Sequence, residues 1–220
     1  MKILAIETSS DACSAAVAIN EDVYEVFQLA PRQHTQLILS MVEEVLAEAQ
    51  CALSQVDAVA FGRGPGAFTG IRVATSVTQG IAYGADLPVI PVSSLAALAY
   101  LAHREHGATQ SIVATDARLA EVYVGCYRSD QLSATVVAEE VVIKPQELTE
   151  ITSGAWFGVG NAWEIYQDQL RSRVCGEADL VGIISDVYPH ACDIACLARQ
   201  GECLPVEQAL PVYLRDKVTS

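Results

Sequence analysis

Three short apolar-rich runs open the chain: KILAIET (2–8), CSAAVAI (13–19) and VYEVFQL (23–29), separated by polar or acidic turns. They read as the strands of a β-meander. The period then changes. In HTQLILSMVEEVLAEA (34–49), Leu37, Ile38, Met41, Val42, Val45 and Leu46 gather on one broad face. Glu43, Glu44 and Glu48 lie off its centre, which predicts an amphipathic helix. A strand follows at 57–61, a helix from about Thr69 to Tyr83, and a strand at 87–92. The next helix, 93–107, has serine at its start and glycine at its end.

The second half repeats this layout. SIVATDA (111–117), EVYVGCYR (121–128) and ATVVAEEVVI (134–143) predict three more strands. A short helix begins at Pro145, AWFGVG (155–160) is strand-like, NAWEIYQDQL (161–170) is helical, and 189–201 predicts a final helix. Two successive β-β-β-α-β-α units make a duplicated α/β architecture the economical reading; one mixed sheet is the alternative arrangement. The polar stretch HREHGATQ (103–110) places the hinge near 103–111. The expected lobes are therefore 1–106 and 107–204, with the tail 205–220 packing back on the first.

One segment invites a chemical reading. GRGPGAFTGIRVATSVTQGIAYG (62–84) follows an apolar strand and leads into a helix, where free N–H groups often bind anions. The phosphate loop G-x-x-x-x-G-K-[ST] requires a lysine, yet Gly70 is followed by Ile71 and Arg72. The dinucleotide pattern G-x-G-x-x-G fails too, because Ala67, Phe68 and Thr69 follow Gly66. The glycines serve close backbone approach instead, aiming a small-faced helix (Gly70, Ala74, Ser76, Gly80, Ala82, Gly84) at a partner.

Composition narrows the classes. Lys and Arg number 13 against 27 Asp and Glu in 220 residues, a formal charge of −14. Such a chain repels phosphate backbones, so direct tRNA or other nucleic-acid binding is not expected without a basic partner. Seven cysteines, an odd number, fit reduced thiols, and no segment is apolar enough to span a membrane; a cytoplasmic location is expected.

Four stretches carry a family resemblance: ILAIETSSDACSAA (3–16), the glycine segment 62–84, DARLAEVYVG (116–125) and PVYLR (211–215). Together they resemble the TsaB (YeaZ) family, the non-catalytic relative of TsaD. The resemblance implies a duplicated actin-like (ASKHA, ribonuclease H-like) α/β fold, with two lobes of mixed sheet flanked by helices and a short second lobe. It also implies a scaffold role in forming N6-threonylcarbamoyladenosine at position 37 of tRNAs that read codons starting with A. The implied partners are TsaD, as a heterodimer, and the small ATPase TsaE through that pair; alone, the chain would form a homodimer. TsaD-like proteins carry a metal-binding H-x-x-x-H pair where this chain has Ser94 and Leu98, and leucine cannot ligate. No catalytic residue and no metal site are therefore expected. A stand-alone actin-fold nucleotide hydrolase, or a TsaD-like metallopeptidase or transferase, is the alternative.

Candidate residues follow from these readings. In the class, the first hairpin turn contacts nucleotide phosphates, which nominates Thr8, Ser9 and Ser10. No cofactor is required by the chain itself, and weak or interface-shared ATP or ADP with Mg²⁺ is the form such binding would take. The partner face is assigned to His34, Leu37, Met41, Val45, Thr69, Gly70, Val73, Val77, Gly80 and Ile81. On that assignment Val73→Glu or Val77→Glu abolishes co-purification with TsaD and leaves the lone chain folded. His103 and His106 read as solvated residues at a helix end. His190, Cys192, Cys196 and Cys203 read as parts of an apolar helix and its flank rather than zinc ligands. Asp116, Arg118 and Glu121 either form a structural ion-pair cluster or face a cleft.

Overall fold

The meander forms where the pattern places it. In the computed structural model, which describes residues 1–215, β1 (Lys2–Glu7), β2 (Ala12–Ile19) and β3 (Asp22–Leu29) pair antiparallel. Helix α1 (His34–Glu48) then leads to β4 (Ala58–Gly62), α2 (Phe68–Ala85), β5 (Val89–Val92) and α3 (Ser94–His106). Strands β4 and β5 add in parallel, giving the order β3-β2-β1-β4-β5. Strand β1 is apolar from Ile3 to Ile6 because both its faces are covered. Leu4 and Ile6 join Cys13, Ala15 and Val17 under Ile38, Met41 and Val45 of α1 and Ala74 of α2. Ile3 and Ala5 join Ala16, Ala18, Ala58 and Ala60 on the opposite side.

The second unit repeats the topology. Its strands β6 (Gln110–Asp116), β7 (Val122–Ser129) and β8 (Ala134–Ile143) form a meander, and β9 (Ile151–Val159) adds in parallel to β6. Strand β10 (Val174–Ile184) adds in parallel to β9, so the order β8-β7-β6-β9-β10 reproduces that of the first sheet. The duplicated actin-like fold rests on this match. Trp163 anchors the core of this unit: it is fully buried and its indole N–H donates to Ile112 O at 2.9 Å. Gly158 lies beneath that ring, where a Cβ would collide with it.

Three expectations are corrected. Strand β10 was not foreseen, because an edge strand interrupted by Gly176 and Gly182 and carrying Glu177 and Asp179 hides its strand signal. The helix expected at 145 is a single 3₁₀ turn (Pro145–Glu147). The helix expected at 161–170 breaks at Tyr166 into α4 (Ala162–Ile165) and α5 (Gln167–Arg171).

The lobe boundaries also differ from 1–106 and 107–204. The first unit comprises 1–97 and 188–212, and the second runs from Leu98 to Val187 and resumes at Tyr213. Helix α6 (Ala191–Ala198) therefore belongs to the first unit, where Ile194, Ala195 and Ala198 cover the alanine-rich side of the sheet. The alanines explain the attraction, since without a helix over them that face would stand open to water. Just before the tail Leu204 bridges to Val89, and within the tail Ala209 is buried in the first core; residues 216–220 lie outside those described.

Candidate functional site

Strand β1 ends on a carboxylate that is 1% exposed, that of Glu7. Its Oε1 accepts the Ser9 backbone N–H, and its Oε2 accepts the Ser94 hydroxyl, at the start of α3, at 2.7 Å. Burial pushes the Glu7 carboxyl above its ordinary range, against the opposing pull of hydrogen bonds from Ser9, Ser94 and Thr8. Thr8 is fully buried and donates its hydroxyl to Gly70 O at 2.8 Å. Ser9 O accepts the Ala67 N–H at 2.7 Å.

The glycines of GRGPGAFTG are the seat of this hairpin. A Cβ at Gly62 would overlap the Glu7 carboxylate, one at Gly66 the Ser9 backbone, and one at Gly70 the Thr8 carbonyl oxygen. Gly64, at φ +92°, supplies the turn between them. The start of α2 thus fills the space over the turn where a phosphate contact was expected. The Thr8 hydroxyl serves Gly70 and the Ser9 N–H serves Glu7 inside the protein. Ser10 alone of the three is half-buried, and its Oγ accepts the Ala12 N–H at 3.2 Å.

The residues assigned to a partner face separate into three groups. His34, Met41, Val45, Gly70 and Val73 are buried, and His34 Nε2 lies 3.2 Å from Ala12 O. Leu37, Val77 and Ile81 are half-buried against the first core. Thr69 and Gly80 face outward. The physical reason is competition for one apolar stripe. The sheet of the first unit takes the stripe of α1 and α2 into its own core, which leaves Leu37, Val77 and Ile81 only partly exposed.

The outward face of α2 has a different composition. Thr69, Arg72, Ser76, Gly80 and Tyr83 recur every three or four residues on the exposed side, with Gly84 beside them. The Arg72 guanidinium lies 3.7 Å from the centroid of the Phe68 ring. Tyr83 is 79% exposed. A Cβ added at Gly80 or Gly84 would meet nothing within 4 Å. On α1, Leu39 is 56% exposed, beside Ser40, Glu43 and Glu44.

The remaining candidates resolve into structural contacts. Ser94 is bonded to Glu7 and Leu98 is buried, so neither offers a metal ligand in the manner of a histidine pair. His103 Nδ1 lies 3.2 Å from Ala108 O, closing the end of α3, and His106 lies 4.0 Å from Glu105. Arg118 pairs with Asp116 at 3.4 Å, while Glu121 accepts from Arg215 of the tail, which also donates to Ala117 O. These contacts hold a turn in which Arg118, Leu119 and Ala120 all adopt left-handed backbone (φ 63°, 56° and 58°). Sequence reasoning missed the Glu7–Ser94 and Glu121–Arg215 pairs, whose partners lie 87 and 94 positions apart. His190 and Cys192 converge with Glu25 of β3, another partner the local motif did not reveal. Cys203 is exposed.

Comparison with known proteins agrees over the whole chain. Residues 26–197 match the family model described as TsaD, tRNA N6-adenosine threonylcarbamoyltransferase. The tRNA threonylcarbamoyladenosine biosynthesis protein TsaB of Escherichia coli K12 is 40% identical, covering 99% of this chain and 96% of that protein. Its namesake from Haemophilus influenzae is 36% identical, covering 100% and 95%. Among solved structures, YeaZ from Pseudomonas aeruginosa superposes with a TM-score of 0.89 at 42% identity, covering 97% of this chain and 99% of that one.

Proposed function

The chain belongs to the TsaB (YeaZ) family, and from that premise we propose that it is a non-catalytic scaffold subunit in the formation of N6-threonylcarbamoyladenosine at position 37 of tRNAs reading codons that start with A. It docks on TsaD through the outer face of α2 and the adjoining exposed side of α1, and the pair recruits TsaE. Alone, it self-associates through the same face. The tRNA is held by the partners, since a chain of charge −14 repels it. The protein works in the cytoplasm with its thiols reduced.

Gly80 and Gly84 carry this reading. Glycine inside a helix costs about 1 kcal/mol relative to alanine. Gly70 offsets that cost by admitting the first hairpin, whereas a Cβ at Gly80 or Gly84 would meet nothing within 4 Å among the described residues. A helix that carries two unused glycines beside an exposed tyrosine is suited to close approach by another backbone. Nucleotide is not required for this role: the Thr8 hydroxyl and the Ser9 N–H are already engaged. Any ATP or ADP with Mg²⁺ is bound weakly or shared across the interface with TsaD.

The deciding experiment reconstitutes tRNA modification from purified TsaD, TsaE and the synthase that makes threonylcarbamoyl-AMP, with and without this chain. Modification that depends on its addition supports the scaffold role. Full modification in its absence, or nucleotide turnover by this chain alone, sinks the scaffold reading.

A further inference from the structure

Glu25 of β3 meets the start of α6 at one point on the first unit. Its Oε2 lies 2.9 Å from His190 Nδ1, and its Oε1 accepts the Cys192 N–H at 3.0 Å. One ligand-type atom from each of Glu25, His190 and Cys192 lies within 4.8 Å of the other two. The His190 and Glu25 side chains keep 25% and 17% of their exposure, so an ion can reach them from solvent. The imidazole is already oriented: Phe27 stacks on it with centroids 4.1 Å apart and planes within 7°. The backbone that carries the two helix ligands is pinned as well, since Ala191 N–H donates to Ser14 Oγ at 2.9 Å.

We propose that Glu25, His190 and Cys192 form a binding site for a divalent transition-metal ion of the zinc class, tying α6 to β3. The donor set decides the class. One carboxylate oxygen, one imidazole nitrogen and one thiolate suit zinc, while magnesium and calcium select oxygen alone. Bonds of about 2.0–2.3 Å in a tetrahedron hold ligand atoms roughly 3–4 Å apart, so the three donors need only side-chain rotation to share an ion. The Cys192 sulfur sits in the first turn of α6. Three protein ligands leave the fourth position to water or to an exogenous group. Local motif reading pairs His190 with cysteines of its own helix; the fold supplies Glu25 instead, 165 positions away.

The test uses the full-length chain, reduced and stripped of metal, titrated with Zn²⁺ against a chromogenic chelator and separately with Co²⁺. One equivalent is expected to bind, with a thiolate-to-cobalt charge-transfer band. Cys192→Ser should abolish the band, and both it and His190→Gln should weaken zinc binding by more than about 100-fold, beyond what loss of an outer partner costs. Cys203→Ser should leave binding and band unchanged. If His190→Gln misfolds by circular dichroism, the near-isosteric Cys192→Ser decides alone. Absence of zinc binding by the unaltered chain overturns the proposal, as does a band that survives Cys192→Ser or disappears with Cys203→Ser.

Discussion

Alanine placed at three glycines of α2 should change stability in opposite directions. Gly80 lies inside the helix and an added Cβ there meets nothing within 4 Å, so Gly80→Ala keeps only the backbone benefit, about 0.8–1 kcal/mol. Gly84 is next to the last helical residue, where the benefit falls to about 0.5 kcal/mol. Together they should raise the thermal midpoint of the isolated chain by about 3–6 °C, at about 2–4 °C per kcal/mol for a chain of this size. Gly70→Ala should do the reverse. Its Cβ would overlap the Thr8 carbonyl oxygen, and because that atom belongs to backbone the hairpin must shift, at a cost of about 1–3 kcal/mol. Thermal melts at low protein concentration, where self-association is minimal, measure all three. The same variants then enter calorimetric titrations with TsaD. If a partner backbone lies against Gly80, one methyl overpacks that interface by about 1–3 kcal/mol, which weakens binding roughly 5- to 150-fold. A stabilised chain that binds less well is the expected combination. Loss of stability in Gly80→Ala would refute the claim that its own fold leaves that position open. Unchanged TsaD affinity in both Gly80→Ala and Gly80→Leu would remove the proposed docking face.

Three further outcomes follow from the buried groups. Val73 is 8% exposed in the first core, so Val73→Glu should cost several kcal/mol and appear as lost soluble yield and a lowered thermal midpoint, before any effect on partner binding can be read. The raised carboxyl of Glu7 means the native state binds that proton more tightly than the unfolded chain, whose carboxyl titrates near 4.5. Its contribution to stability is therefore greatest below the ordinary carboxylate range and declines as pH rises towards the raised native value. Glu7→Gln should flatten that decline in thermal midpoints measured across the interval, and an unaltered slope would show that Glu7 does not titrate there. Burial pushes the Cys13 and Cys126 thiols up to about 11, whereas Cys203 is exposed. Alkylation of the native chain followed by peptide mapping should therefore find Cys203 modified well ahead of Cys13 and Cys126.

The elements of the first unit were legible because each has a strong local signal. The α1 stripe of Ile38, Met41, Val42 and Val45 is periodic, and the GRGPGAFTG segment announces a turn before a helix. Strand β10 escaped because edge strands carry charge and glycine, which erase the alternation on which recognition depends. The burial of residues assigned to the partner face has a related reason. Periodicity finds the apolar stripe of α1 and α2, but the stripe is what the helices bury against their own sheet. The outward side of α2 is polar and glycine-bearing, so its three-to-four-residue spacing carries no hydrophobic signal.

The sequence by itself determined the two opening meanders and the elements of the first unit, the family, the acidic charge and the absence of a histidine pair at Ser94 and Leu98. These depend on residue identity and on spacings of a few positions. Tertiary structure alone decided which unit claims α6, that Thr8 and Ser9 lie under α2, and that Glu7 meets Ser94 and Glu25 meets His190. Each of those depends on side chains distant along the chain being brought within bonding distance. Burial and hydrogen bonding act on what is near in space, and no local pattern of residues encodes that.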